Sequence, residues 1–98
     1  MTPDAFRRTL TEDDPPTMLT DLQRALWYGA RGDWTKSHET VQNEDGADAA
    51  WVHAWLHRIE GDLDNARYWY GQAHRPERTG TTDEELNELL AEFLTKAG

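Results

Sequence analysis

The sequence predicts an all-α protein built of antiparallel helical hairpins. Three observations carry that expectation. Apolar residues recur at spacings of three and four through most of the chain, the signature of amphipathic helices. The dipeptide Gly-Asp stands twice between such stretches, at Gly32-Asp33 and Gly61-Asp62. No segment alternates apolar and polar residues with a strand's period. With 98 residues the chain has the size of one domain, for which a radius of gyration of ~12–13 Å is expected.

Residues 1–16 read as an N-terminal arm with a short helix around Pro3–Thr11, carrying Phe6 and Leu10 on one side. Asp13-Asp14-Pro15-Pro16 closes it, because proline fixes φ and removes amide donors. A single helical domain then fills residues 17–98. Leu19, Leu22, Leu26 and Ala30 mark its first helix, and Gly32 stops it because glycine takes the left-handed cap without a Cβ clash. Asp33 caps the next helix, with Trp34, Ser37 and Val41 as its stripe. Asp48 is the expected cap of a helix carrying Val52, Trp55, Leu56 and Ile59. Gly61-Asp62 repeats the stop and cap, Leu63, Ala66, Tyr70 and Ala73 follow, and Pro76 is the expected end. Thr82 with Glu85 matches a capping box ahead of Leu86, Leu89, Leu90, Phe93, Leu94 and Ala97. The acids of that helix lead and Lys96 trails, which complements the helix dipole.

A shift of 29 residues superimposes the two Gly-Asp pairs and, with them, Ala25 on Ala54, Tyr28 on His57, Trp34 on Leu63, Ser37 on Ala66 and Val41 on Tyr70. The run from Gly61 to Ala73 resembles the second half of a tetratricopeptide repeat, with its Gly-Asp turn, small packing residue and large aromatic. Ala25 and Ala54 stand at the small positions of the family's first helix, and Tyr28 and His57 where it usually has Tyr. Arg24 and His53 depart from its Leu, and the period is shorter than the usual 34. The resemblance covers roughly residues 20–74. It implies stacked hairpins with a groove lined by the first helix of each unit. Two units are fewer than such arrays generally need, so the last helix either caps the stack or meets a second copy in a homodimer. The run from His53 to Asp62, with Ala66 and Tyr68-Trp69-Tyr70, is also similar to a group of small microbial proteins, which implies a shared fold and no reaction.

Nineteen acidic against 10 basic residues give a net charge of −9, a poor match for nucleic acid or an anionic membrane. Without cysteine there is no disulfide, thiolate metal site or cysteine nucleophile. No apolar run spans a bilayer and no secretory signal is visible, so the expectation is a cytoplasmic protein. No phosphate loop or nucleophile elbow appears, and no cofactor is expected. Ser37 is the only serine, and Ser37-His38-Glu39 is no triad, since neighbours on a helix point apart.

Two functional readings remain. The first is a protein-interaction or scaffold domain that takes a peptide or partner helix on an aromatic and arginine surface: Trp51, His53, His57, Arg58, Tyr68 and Trp69. Three consecutive rings at 68–70 span about 200° of a helix, so one face cannot bury them all. Trp34 and Trp55 lie on apolar stripes, whereas Trp27, Trp51 and Trp69 lie at their edges, which predicts more aromatic surface than the core needs. The second reading is a small enzyme or metal-binding protein. His53 and His57 share a helix face, and Glu60 extends it, a triad that suits zinc. The alternative for these imidazoles is packing between helices against a carbonyl or carboxylate.

Overall fold

The computed structural model describes the backbone of residues 1–97 and the side chains of residues 1–94. Among them the chain forms six helices and no strand: α1 (Pro3–Thr9), α2 (Asp21–Ala30), α3 (Trp34–Val41), α4 (Ala47–Glu60), α5 (Leu63–Ala73) and α6 (Thr82–Ala97). Lys96 and Ala97, expected to finish the last helix, lie outside the described side chains.

The Gly-Asp turns are built alike. Gly32 and Gly61 have φ of +84° and +86°, a region that strains any residue with a Cβ. The Asp33 amide donates to the Tyr28 carbonyl and the Asp62 amide to the His57 carbonyl, both at 2.9 Å. Each aspartate carboxylate then accepts the amide three residues on, from Lys36 and Asn65. The 29-residue offset is therefore a repeat of hydrogen bonds as well as of residue type.

Three other boundaries differ from expectation. α4 begins behind Gly46 (φ +100°), so Asp48 falls in its first turn and is not the cap. α5 stops at Ala73, where His74 takes the left-handed conformation and the Arg75 amide bonds to the Tyr70 carbonyl; Pro76 comes too late to be the cause. The capping box of α6 sits one residue earlier than Thr82 and Glu85. The Thr81 hydroxyl accepts the Glu84 amide and the Glu84 carboxylate accepts the Thr81 amide, both at 3.0 Å.

Consecutive helices pack in pairs, α2 on α3 and α4 on α5, and α4 also touches α2 and α3. Ser37 and Ala66 are the small residues at these contacts, both buried, and the Ser37 hydroxyl donates to the Ala25 carbonyl at 2.6 Å. α6 lies across α2 and α4, and α1 packs on α6. The radius of gyration is 12.3 Å. The arm drawn over residues 1–16 is not separate from the domain: Phe6 is fully buried in the common core, and the Trp27 indole donates to the Thr9 hydroxyl at 3.1 Å. The apolar stripe of α6 is likewise consumed within the chain. Leu86, Leu89, Leu90, Phe93 and Leu94 are all buried, which removes the face expected to recruit a second copy.

The tryptophans correct the expectation of surplus aromatic surface. Trp27, Trp51 and Trp55 are each at most 2% exposed. α2 and α4 are covered on two sides, by their hairpin partners and by α6, so a ring at the edge of one stripe lies on another. Their indole N–H groups are satisfied: Trp51 donates to the Glu85 carboxylate and Trp55 to the Thr82 carbonyl. Ile59 and Leu63, read as stripe residues, are instead exposed, because both flank the Gly61 turn at helix ends.

The α2–α4 crossing predicts a sharp mutational effect. A Cβ on Gly29 would lie 2.5 Å from Trp55 Cζ3 and 2.8 Å from Cη2, inside van der Waals contact with a buried ring. Alanine gains up to about 1 kcal/mol of helix propensity over glycine. Overpacking of this kind costs about 1–3 kcal/mol. Gly29→Ala is expected to lower the urea midpoint; a raised midpoint would show that Trp55 moves aside freely.

Candidate functional site

The hairpins bring together side chains that no single helix could. Trp34 and His38 stand one turn apart on α3, their rings stacked at 4.7 Å and 8°. The Trp34 indole donates to the Leu56 carbonyl at 2.7 Å, which fixes α3 against α4. On α4, His53 and His57 lie 6.5 Å apart with nearly parallel rings. His38 approaches both edge-on, at 5.3 Å from His53 and 6.1 Å from His57. From α5, Trp69 stacks on His53 at 4.1 Å and 14°. The result is three imidazoles between two indoles, one nitrogen from each within 4.8 Å of the others.

The environment sets the protonation of the group. His53 is 5% exposed, and its Nδ1 is buried without a hydrogen-bond partner among the described residues. Burial first, then the neighbouring His38 and His57, push its pKa down to about 4. His38 is lowered for the same reasons, burial and then His57. His53 and His38 are thus neutral at pH 7 and present lone pairs, the form a metal ion takes up. The Nδ1 of His57 is 3.0 Å from the Glu60 carboxylate.

Of the residues singled out in the sequence, His53, His57 and Trp69 meet here. Glu60 is present as a partner of His57, and α3 adds His38, which the triad expected from α4 alone did not include. Its signal was the spacing of Trp34 and His38 on α3, but the 29-residue repeat sets His38 against Arg67 and hides it. Trp51 and Arg58 belong elsewhere. Trp51 is 1% exposed beneath the Arg75 guanidinium, and Arg58 is ion-paired to Glu85 at 2.7 Å. Arg67, Arg75 and Arg78 likewise pair with Glu77, Glu92 and Glu88. Tyr68 is widely exposed, its ring edge-on to Trp69 at 5.2 Å.

A cavity of about 390 Å³ opens beside His53 and Trp69, bounded by Gln42, Glu44, Gln72 and His74. A cleft of about 440 Å³ between Asp21, Gln23, Glu44 and Phe93 holds no histidine, and its titratable groups are carboxylates at the surface. No described helix is long and apolar enough to cross a membrane. No family model, curated protein or solved structure matches the chain.

Proposed function

We propose that this protein is a tetratricopeptide-type pair of hairpins whose groove is closed by its own last helix, and that it binds a divalent transition-metal ion through His38, His53 and His57. The observation that carries the reading is the convergence of three imidazoles, from two helices, to within 4.8 Å of one another. Imidazole is the ligand of zinc, nickel, copper and iron, and three such donors leave a coordination position free. At Zn–N distances near 2.0–2.1 Å the nitrogens of a tetrahedral site are about 3.4 Å apart, so the rings close by at most about 1.4 Å on binding. His38 is half-buried, the least enclosed of the three.

Energetics support the same reading. An unpartnered buried polar atom such as His53 Nδ1 costs about 1–3 kcal/mol, which an apolar side chain of similar size would avoid. A ligand role accounts for that cost; packing alone does not. The peptide-groove reading has less to stand on. The first helices of the two pairs, α2 and α4, are covered by α6, and Trp51 and Arg58 are engaged within the chain.

Thermal melting with zinc, cobalt and nickel tests the proposal. Free metal at about a hundred times Kd stabilises the folded state by about 2.7 kcal/mol, a Tm rise of roughly 10 °C or more at this chain length. Cobalt is also expected to show the visible absorption of nitrogen ligation and to quench Trp34 and Trp69. His38→Ala and His53→Ala should each abolish both effects. A Tm unmoved by all three metals would overturn the reading.

A further inference from the structure

The geometry points to Glu60 as the positioning residue of this centre: its carboxylate accepts the N–H of His57 Nδ1, which keeps the proton there and leaves the Nε2 lone pair as the donor of an anchoring ligand. The inference rests on the metal-site reading above. Its basis is an asymmetry among the three imidazoles. His53 Nδ1 is buried with no partner, whereas His57 Nδ1 lies 3.0 Å from Glu60 Oε1. A neutral imidazole has one N–H and one lone pair, and an N–H held by a carboxylate on one nitrogen fixes the lone pair on the other. Metal-bound histidines commonly carry such a carboxylate on the far nitrogen, where it sets the tautomer and raises the basicity of the ligating atom.

The end of α4 is built to place that carboxylate. Glu60 is the last residue of the helix, three after His57, and Gly61 turns the chain away immediately beyond it. Asp62 is the other acid close to His57, and the three form a second cluster of possible ligand atoms. Its carboxylate, however, is committed to α5: Oδ1 accepts the Asn65 amide at 3.3 Å and Oδ2 accepts the Asn65 side chain at 2.7 Å. With His57 Nδ1 held by Glu60 and Asp62 held by Asn65, that second trio works as a support for His57 and not as a second metal site. As an ion pair Glu60 adds little stability, since its side chain is 40% exposed and the contact is screened. Its effect is on which nitrogen carries the proton.

Two measurements on Glu60→Ala and Glu60→Gln test this. Long-range proton–nitrogen correlation on the metal-free protein, at a pH above the imidazole range, reads the tautomer of His57. The wild type is expected to show Nδ1 protonated and Nε2 bare. Glu60→Ala should lose that preference and weaken cobalt binding by about 10–100-fold. Glu60→Gln should restore the tautomer and most of the affinity, because the amide oxygen still accepts the N–H. A wild-type His57 protonated on Nε2, or a Glu60→Ala protein with unchanged tautomer and affinity, would overturn the assignment. The tautomer is read without metal, so a wild type that fails to bind cobalt would sink the metal-site reading while leaving the role of Glu60 to be decided by the spectra.

Discussion

Replacing Glu85 by alanine is expected to destabilise the fold by about 3–5 kcal/mol, the loss typical when one partner of a buried ion pair is removed. Glu85 is 1% exposed at the junction of three helices. Its carboxylate accepts the Trp51 indole at 3.0 Å, the Tyr70 hydroxyl at 2.6 Å and the Arg58 guanidinium at 2.7 Å. Burial and then the bond to Glu85 raise the Tyr70 phenol far above its ordinary pKa, as a hydroxyl locked into donation should be. The bond from Tyr70 joins α5 to α6 through the buried carboxylate. Alanine would strand three donors from α4 and α5 in a dry site and open a cavity beneath Trp51. Domains of this size have about 5–15 kcal/mol of stability in total, so the variant is expected to melt near or below physiological temperature. Urea denaturation followed by circular dichroism measures the loss, and Glu85→Gln, which keeps the shape and an acceptor, should lose less. A cost below about 1 kcal/mol for alanine would show that water reaches the site and the clasp is dispensable.

Glu85 also marks where the sequence stopped being sufficient. The run Thr81-Thr82-Asp83-Glu84-Glu85 fits a capping box in two registers, Thr81 with Glu84 or Thr82 with Glu85. Both satisfy the local rule equally. The choice belongs to Trp51, Tyr70 and Arg58, far away in sequence, which draw Glu85 inward and leave Glu84 to cap. The Gly-Asp turns were legible because their cause is local: a left-handed glycine and an aspartate bonded to the amide three residues on. The helical class was legible for the same reason, since spacing alone declares it. Trp27 and Trp51 were misplaced because a helical wheel counts one buried face, whereas α2 and α4 are covered on two. The site was half legible. His53 and His57 share one helix and announce each other, but His38 joins them only through the crossing of α3 and α4, which Trp34 fixes by bonding to Leu56.

The same crossing leads to the second large effect, a loss of stability in mild acid that His53→Leu should remove. The folded state holds His53 near a pKa of about 4, against an ordinary value of 6.5. Above pH 6.5 neither the folded nor the unfolded chain protonates this ring, and its full contribution is present. Between 6.5 and about 4 the unfolded chain takes up a proton that the folded chain refuses, so stability falls as the pH falls; below about 4 both states are protonated and this residue adds no further loss. At 1.36 kcal/mol per unit the window is worth up to about 3 kcal/mol. His38, shifted in the same direction, adds to it. Asp62 and Glu84, whose carboxylates are lowered by hydrogen bonds to Asn65 and Thr81, contribute their own decline on acidification, at lower pH. Leucine at position 53 isolates the histidine component. It keeps an apolar contact for Trp69 and leaves no orphaned nitrogen, so at neutral pH the variant should equal or exceed the wild type in stability while binding no metal. Its stability should also decline less between pH 7 and 5 than that of the wild type, the remaining slope belonging to His38; parallel curves for the two proteins would show that His53 is not the titrating group. A variant that is more stable, less acid-sensitive and unable to bind metal would identify the cost of His53 as a functional one, because a residue selected only for packing would have no reason to keep a buried nitrogen unsatisfied.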